Sequence, residues 1–284
     1  MPALVTPFDR YGDIDLQAHE TNLRVLADRG IRGFLIAGST GEGSTFEPGE
    51  RGTLVELQRR LLGRSSYVMV GVWAESVRLA MGQVDEAAEA GADSVLVVTP
   101  TTLARRSVDA QRRYFTAVGS ASPIPVLLYS VPPNTGYALD EAAALELAQH
   151  PNIVGMKDSG ADAARIQRII ASTPDDFMVF NGASASVSLA MASGAFGAIT
   201  ASTNYIPGAM SEIVTATRKS TSKGFSLQPE VTAVTRTVET HGIPGVKAAS
   251  SAAGLDAGLP RAPFKAVSST LARRLVATAQ RFDR

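Results

Sequence analysis

A lysine at the end of an apolar run is the residue in this sequence best placed for covalent chemistry. Lys157 directly follows Ile153–Met156, a run of residues that reads as a buried strand. An amine that is partly removed from water loses its proton more readily, and a neutral amine can attack a ketone carbon to form a Schiff base. Position alone leaves three functions open for Lys157: imine formation, binding of a phosphate or carboxylate, and a structural ion pair.

Two other segments could assist an amine nucleophile. Tyr129 ends its own apolar run, so it either caps the core or moves protons during imine formation. The loop Gly38–Thr45 also follows an apolar run and contains Ser39 and Thr40. Backbone N–H groups in such loops can bind an anion. The lysine of a P-loop is absent and Glu42 would repel a polyphosphate, so a single carboxylate is the predicted guest.

These side chains need a scaffold that brings the ends of separate strands together. Short apolar runs alternate with longer amphipathic stretches along the chain, and the runs are apolar at every position, which is typical of parallel strands covered on both faces. The predicted strands are 3–6, 33–37, 67–72, 94–99, 126–129, 153–156, 177–180 and 195–200. The predicted helices between them are 15–29, 47–62, 76–90, 107–119, 140–149, 161–171 and 184–193.

This alternation predicts an α/β fold, a (β/α)8 TIM barrel, over residues 1–204. An open, doubly wound sheet is the alternative, but the first strand runs into Pro7-Phe8-Asp9 and not into a glycine-rich nucleotide turn. Residues 205–284 lack strand signals, and stretches near 207–220, 225–241, 244–254 and 264–282 predict a C-terminal helical extension packed on the barrel. Chemistry in a TIM barrel gathers at the carboxyl ends of the strands, where the polar side chains above would meet.

Composition narrows the classes of function. The 284 residues include 27 basic and 27 acidic side chains, so the net charge of +0 gives no general attraction for nucleic acid or an anionic membrane. Cysteine is absent and the three histidines are far apart, so no metal site and no cofactor are predicted. No signal peptide and no membrane-spanning apolar run are visible, and a cytoplasmic location is expected.

Three motifs make the sequence familiar, and they are Gly38-Ser39-Thr40-Gly41-Glu42, Tyr129-Ser130-Val131-Pro132 and Gly155-Met156-Lys157-Asp158. On these motifs the sequence resembles the dihydrodipicolinate synthase / N-acetylneuraminate lyase family of class I, pyruvate-handling aldolases. The resemblance extends from Thr6 to Pro263, over essentially the whole chain. Within the family, the stretch Ser122–Arg165 is most similar to the 4-hydroxy-2-oxoglutarate aldolases.

The resemblance implies a role for each candidate residue. Lys157 would form the Schiff base with pyruvate or another 2-oxo acid, Tyr129 would shuttle protons, and the Ser39 hydroxyl would link Tyr129 to a further relay group. The implied substrate-binding residues are Thr40 at the carboxylate, Ser159 at the substrate hydroxyl, and Asn181, Gly182, Ile199 and Asn134 around the pocket. The implied partners are a small 2-oxo acid and an aldehyde, in a homo-oligomer that is a tetramer or a dimer.

Two positions depart from the family pattern. Dihydrodipicolinate synthases have an arginine, which binds the second substrate's carboxylate, where this chain has Asn134. The family also has a tyrosine in the loop after the fourth strand, where it reaches into a neighbouring subunit's site, but here the loop 99–103 has none. The resemblance and these departures together predict cleavage of 4-hydroxy-2-oxoglutarate to pyruvate and an aldehyde such as glyoxylate. The alternatives are a condensation like that of 4-hydroxy-tetrahydrodipicolinate synthase, a sugar-acid lyase, and a non-catalytic 2-oxo acid sensor.

Overall fold

The computed structural model describes residues 1–282, and its central feature is a curved sheet of seven parallel strands. The strands are β1 (Gly33–Ile36), β2 (Tyr67–Val72), β3 (Ser94–Val98), β4 (Val126–Ser130), β5 (Ile153–Asp158), β6 (Met178–Asn181) and β7 (Gly197–Ala198). Each strand pairs with the next one along the chain, in the order β1 to β7. The predicted α/β TIM-barrel architecture is therefore confirmed.

The predicted first strand, 3–6, is wrong as a regular strand, although the segment does lie between the two edges of the sheet. Pro2 forms an isolated parallel bridge with Thr200, and Ala3 forms another with Leu35 of β1. Beyond these bridges the N–H of Val5 donates to the Asn204 side chain and not to a neighbouring strand. Two isolated bridges thus occupy the eighth position of the barrel, and β7 is shorter than the predicted strand 195–200.

Helices cover the outside of the sheet and continue into the C-terminal region. They are α1 (Leu16–Asp28), α2 (Glu50–Leu62), α3 (Val77–Glu89), α4 (Val108–Ala121), α5 (Pro132–Thr135), α6 (Glu141–Leu147), α7 (Ala163–Ser172), α8 (Val187–Ala192), α9 (Pro207–Lys219), α10 (Thr221–Glu239), α11 (Gly242–Ser250) and α12 (Ser269–Gln280). Side chains that accept a hydrogen bond from the first turn mark several of the starts, namely Asp15, Ser76, Ser107, Asp140, Asp162 and Ser268. The short helix α5 was not predicted from the sequence.

The alternation of side chains along each strand decides which residues reach the inside of the barrel. On β4, Leu127 and Tyr129 belong to the inner apolar cluster, whereas Val126 and Leu128 pack outward against the helices. Tyr129 lies directly opposite Lys157 in the pairing of β4 with β5, and Met156 faces outward. Lys157 and Tyr129 are therefore neighbours inside the barrel because each lies one position beyond an outward-facing residue.

Helices α9 to α12 pack onto the barrel as predicted for the C-terminal extension. Met210, Ile213, Val231 and Leu275 belong to the same buried apolar cluster as the outward-facing strand residues. A buried ion pair adds a polar link, because Lys247 Nζ of α11 lies 2.6 Å from Glu42 Oε1 in the loop after β1. The division into 1–204 and 205–284 stays a prediction.

Candidate active site

The buried amine of Lys157 is the centre of the candidate site. The side chain is at the end of β5 and only 3 % exposed. Its Nζ donates to the Tyr129 hydroxyl at 3.2 Å and lies 4.4 Å from the centre of the Tyr129 ring. No ion pair involving Lys157 occurs among residues 1–282, so the structural ion pair left open by the sequence is not what holds it. An amine beside a phenol fits the other two functions, imine formation and anion binding.

The phenol of Tyr129 is suited to accepting and returning a proton. Burial raises its pKa, but the charge of Lys157 and hydrogen bonds with Ser39, Lys157 and Ser159 lower it by more, so the pKa of Tyr129 lies below its usual value. The Ser39 hydroxyl is 3.0 Å from the Tyr129 hydroxyl. A proton on this phenol therefore has neighbours on both sides, which is the arrangement required for a relay.

The loop after β1 presents backbone N–H groups beside this phenol. Among the described residues, the N–H groups of Ser39 and Thr40 donate to no protein acceptor. Glu42, from the same loop, is buried against Lys247 and accepts from the Arg261 N–H at 2.8 Å, and its predicted repulsion of a polyphosphate stays a prediction. Two free N–H groups with the nearby carboxylate neutralised can hold a small carboxylate.

Gly182 provides the space that Lys157 occupies. A Cβ atom built on Gly182 would lie 2.8 Å from Lys157 Cε and 2.0 Å from the Ser159 hydroxyl oxygen. Both separations are far shorter than a normal van der Waals contact. Ile199, another predicted pocket residue, packs in the inner cluster with Tyr129. The structure thus brings together an imine site, which we define as Lys157, Tyr129, Ser39, Ser159 and Gly182.

Two predicted substrate-binding residues, Asn181 and Asn134, lie outside the imine site. Asn181 is fully buried, but Phe180 is the residue of β6 that faces the inner cluster, so Asn181 points outward. Its amide donates to the Ala183 carbonyl at 2.8 Å and accepts from the Ser186 hydroxyl at 3.2 Å, which shapes the turn after β6. Asn134 lies exposed in α5, and its side chain makes no hydrogen bond within residues 1–282.

Two supporting contacts were missed by the sequence reasoning. Asp158 is fully buried, accepts from the Gly160 N–H at 2.7 Å and pairs with Arg165 at 3.0 Å, which holds the turn containing Ser159. The Trp73 ring meets the Tyr129 ring edge to face at 6.3 Å between centroids. The contacts of Asp158 could have been inferred from the sequence. If Lys157 faces the inside of the barrel, Asp158 must face outward, and a buried carboxylate there needs a partner.

Beside the imine site, the loops after β3 and β4 form another part of the barrel mouth. We call it the outer rim and define it as Thr101, Thr102, Arg105, Asn134 and Tyr137. The rim adjoins the imine site, because the Thr99 N–H at the start of its first loop donates to the Tyr129 carbonyl at 3.3 Å. Its side chains are exposed or half-buried, in contrast to those around Lys157.

Metal and membrane features can be checked over residues 1–282. Within that span no three His, Asp or Glu side chains are grouped so that they could hold a metal ion. Independence from metals and cofactors stays a prediction, since it is a matter of activity. In the same span, each helix is too short or too polar to cross a bilayer.

Comparisons with known proteins identify the family of the chain. The profile of the Dihydrodipicolinate synthetase family matches residues 1–281. A 4-hydroxy-tetrahydrodipicolinate synthase from an Exiguobacterium species is 32% identical over 285 residues, covering 99% of this chain and 96% of the relative. The structure resembles a dihydrodipicolinate synthase from Bacillus anthracis with a TM-score of 0.92 and 28% identity, over 100% of this chain and 97% of that one. A chloride-inhibited dihydrodipicolinate synthase from Acinetobacter baumannii, complexed with pyruvate, gives a TM-score of 0.90 at 27% identity, over 98% and 97% of the two chains.

Together with the fold, these matches identify a lyase of the class I aldolase type. The chain belongs to the dihydrodipicolinate synthetase family.

Proposed function

We propose that this enzyme makes or breaks a carbon–carbon bond between pyruvate and an aldehyde, through an imine on Lys157. The observation that carries the proposal is the buried contact between the Lys157 amine and the Tyr129 hydroxyl at 3.2 Å, beside the free N–H groups of Ser39 and Thr40. The complex of the Acinetobacter relative with pyruvate supports the choice of 2-oxo acid.

Imine formation follows from these positions. The Ser39 and Thr40 N–H groups bind the pyruvate carboxylate, so the ketone carbon faces the Lys157 amine. The neutral amine adds to that carbon, and the ketone oxygen becomes the hydroxyl of a carbinolamine. Tyr129 gives this hydroxyl a proton, the C–O bond breaks as water leaves, and the nitrogen lone pair forms the double bond to carbon.

Bond formation uses the iminium ion as an electron sink. Tyr129, which gave up its proton in the dehydration, takes one from the pyruvate methyl carbon, and this gives an enamine whose carbon attacks the aldehyde carbonyl. The aldehyde oxygen takes a proton and becomes a hydroxyl, and Ser159 is the proposed hydrogen-bond partner for it. Water then hydrolyses the imine and frees Lys157, and the reverse sequence cleaves a 4-hydroxy-2-oxo acid.

The two candidate aldehydes are supported by different observations. The name shared by the relatives favours a condensation of the 4-hydroxy-tetrahydrodipicolinate synthase type, with aspartate semialdehyde as the expected acceptor. The two departures from the family pattern favour the cleavage of 4-hydroxy-2-oxoglutarate, because Asn134 offers a neutral amide and Thr101 and Thr102 offer no phenol. The comparisons do not specifically support this second function, so the condensation is our first candidate.

Steady-state kinetics with both substrates separates the candidates. Saturable consumption of pyruvate with aspartate semialdehyde, with little cleavage of 4-hydroxy-2-oxoglutarate, is the expected result. If cleavage of 4-hydroxy-2-oxoglutarate is instead the faster reaction, that cleavage becomes the proposed function. Trapping of pyruvate by borohydride without turnover of either substrate would instead identify a 2-oxo acid sensor.

The assembly and location are proposed on the same basis. A homo-oligomer, either a tetramer or a dimer, is implied by the family resemblance, and sedimentation velocity at micromolar concentration will measure it. A sedimentation coefficient of a single 29.7 kDa chain would contradict that proposal. A cytoplasmic location rests on the absence of cysteine.

A further inference from the structure

Arg105 extends across the outer rim from one loop to another. It lies in a short turn after β3, and its Nη2 donates at 3.3 Å to the Gly136 carbonyl, just beyond α5. Its guanidinium also lies 6.0 Å from the centre of the Tyr137 ring. Tyr137 is itself held, because its hydroxyl donates to the Pro100 carbonyl at 2.5 Å. The guanidinium is therefore positioned by both loops at the mouth of the barrel.

The backbone at Gly136 leaves room for this guanidinium. Gly136 has φ of +75°, a conformation that favours glycine, and a Cβ atom there would lie 3.0 Å from Arg105 Nη2. Asn134 is two residues earlier in the same turn of chain. The position of Arg105 thus depends on the local conformation that follows Asn134.

Most donors of Arg105 are uncommitted. A guanidinium has five N–H donors, and one hydrogen bond accounts for those of Arg105 within residues 1–282. No carboxylate within that span lies within ion-pair distance of it. Three other basic side chains near this end of the barrel are already paired, Arg165 with Asp158, Lys247 with Glu42 and Arg261 with Glu50. Arg105 can therefore accept an anion without giving up an existing ion pair.

We propose that Arg105 binds the carboxylate at the far end of the substrate, the end that derives from the aldehyde. This inference rests on the proposed function, since it requires the 2-oxo end to be attached to Lys157. Both candidate aldehydes contain a carboxylate, which becomes carbon 5 of the adduct with glyoxylate and carbon 7 of the adduct with aspartate semialdehyde. The five-carbon acids below test the first distance, and 2-oxoheptanedioate with 2-oxoheptanoate tests the second in the same way. The planar fork of a guanidinium matches the two oxygens of a carboxylate, and this match gives a charge-assisted bond that Asn134 alone cannot provide.

Imine trapping with two matched 2-oxo acids tests the inference. 2-Oxoglutarate and 2-oxopentanoate have the same number of carbons, but only 2-oxoglutarate has a distal carboxylate. The concentration giving half-maximal borohydride trapping on Lys157 is measured for both acids and for pyruvate. The wild-type enzyme is expected to favour 2-oxoglutarate, and R105Q to raise its half-maximal concentration by about 10- to 100-fold. The values for 2-oxopentanoate and pyruvate should stay within about twofold. 2-Oxopentanoate ends in a methyl group and pyruvate is too short to reach the guanidinium, so neither can pair with it.

Arg106 provides the matched control. It is the next residue, is exposed, and makes no hydrogen bond or ion pair within residues 1–282, so R106Q should leave all three concentrations unchanged. R105K should restore part of the preference, because the charge remains but the fork is lost. Equal weakening by R105Q of a dicarboxylic acid and its monocarboxylic match, or no weakening of the dicarboxylic acid at either chain length, would overturn the inference. Failure of pyruvate trapping in the wild-type enzyme would instead overturn the proposed function.

Discussion

The imine site and the outer rim are neighbours at one mouth of the barrel, but they are built differently. The imine site is carried mainly by β4, β5 and the turns after β1 and β6, and its central Lys157 and Tyr129 are buried and hydrogen-bonded to each other. The outer rim is carried by loops, and Arg105, Asn134 and Thr101 are exposed. In our proposal the imine chemistry is therefore positioned mainly by strands, while recognition of the aldehyde is assigned to exposed loops, which vary more readily than strands.

The largest effect is expected at Lys157. K157R keeps a positive charge, but a guanidinium does not lose its proton near neutral pH and cannot form the imine. Turnover is expected to fall by roughly 10⁴-fold or more. Coupled measurement of pyruvate gives the rate, and K265R at an exposed lysine is the control. Turnover within tenfold of wild type in K157R would show that the imine site does not carry the chemistry that we assign to it.

Tyr129 is expected to have the next largest effect. Y129F removes the proton carrier but leaves the aromatic ring against Trp73, so kcat should fall by about 10²- to 10⁴-fold. Pyruvate should still be trapped on Lys157, although more slowly. Y11F, at an exposed tyrosine, is the control. An unchanged kcat would show that another group moves the proton.

Gly182 tests whether the imine site is as tightly packed as the structure shows. In G182A the new Cβ would lie 2.8 Å from Lys157 Cε and must displace Lys157 or Ser159. We expect a loss in kcat/KM of about 10- to 100-fold, because small displacements of reacting groups are costly. In G82A the new Cβ meets no atom within 4 Å, so this helical control should stabilise the fold by about 0.5–1 kcal/mol. Equal activities of the two variants would contradict the packing account.

Glu75 should show the smallest effect, confined to the outer rim. It accepts from the Thr101 hydroxyl at 2.6 Å and from the N–H groups of Thr101 and Thr102 at 2.8 and 2.9 Å. In E75Q the weaker acceptor should raise the KM for the aldehyde by about 2- to 5-fold and leave that for pyruvate unchanged. A matching rise in both KM values would mean that the loop also supports the imine site.

The ionisation of Glu75 adds a pH dependence to this contact. Burial raises the pKa of Glu75, but the hydrogen bonds from the loop lower it by more, so it lies below its usual value of 4.5. A lowered carboxyl pKa gives stability that is present above the ordinary value and is lost as the pH falls through the folded-state value. The thermal midpoint of the wild-type protein should therefore approach that of E75Q below pH 4.5. A constant difference over that range would contradict the assignment.

The sequence predicted the imine site better than the rim for a physical reason. A lysine directly after a buried run is unusual, so Lys157 and its place at the barrel mouth could be inferred from one strand. Asn181 was included because it follows a strand, but the alternation that turns Phe180 inward turns Asn181 outward. Position after a strand does not tell which face a side chain takes.

Contacts between distant segments were beyond the reach of sequence patterns. The burial of Glu42 against Lys247, and the contact of Arg105 with Gly136, join residues whose spacing along the chain has no period. The N-terminal strand also looked complete as an apolar run, and only the Asn204 side chain shows why pairing stops at Val5. Such features depend on tertiary packing, which local preference does not specify.

Peptide mapping after borohydride reduction with pyruvate tests the central claim most directly. We expect one reduced pyruvate adduct per chain, on the peptide that contains Lys157, and no adduct in K157R. Lys247 is the control site, because it is also a buried amine but is paired with Glu42. An adduct on another lysine, or undiminished labelling of K157R, would contradict the assignment of the imine to this residue.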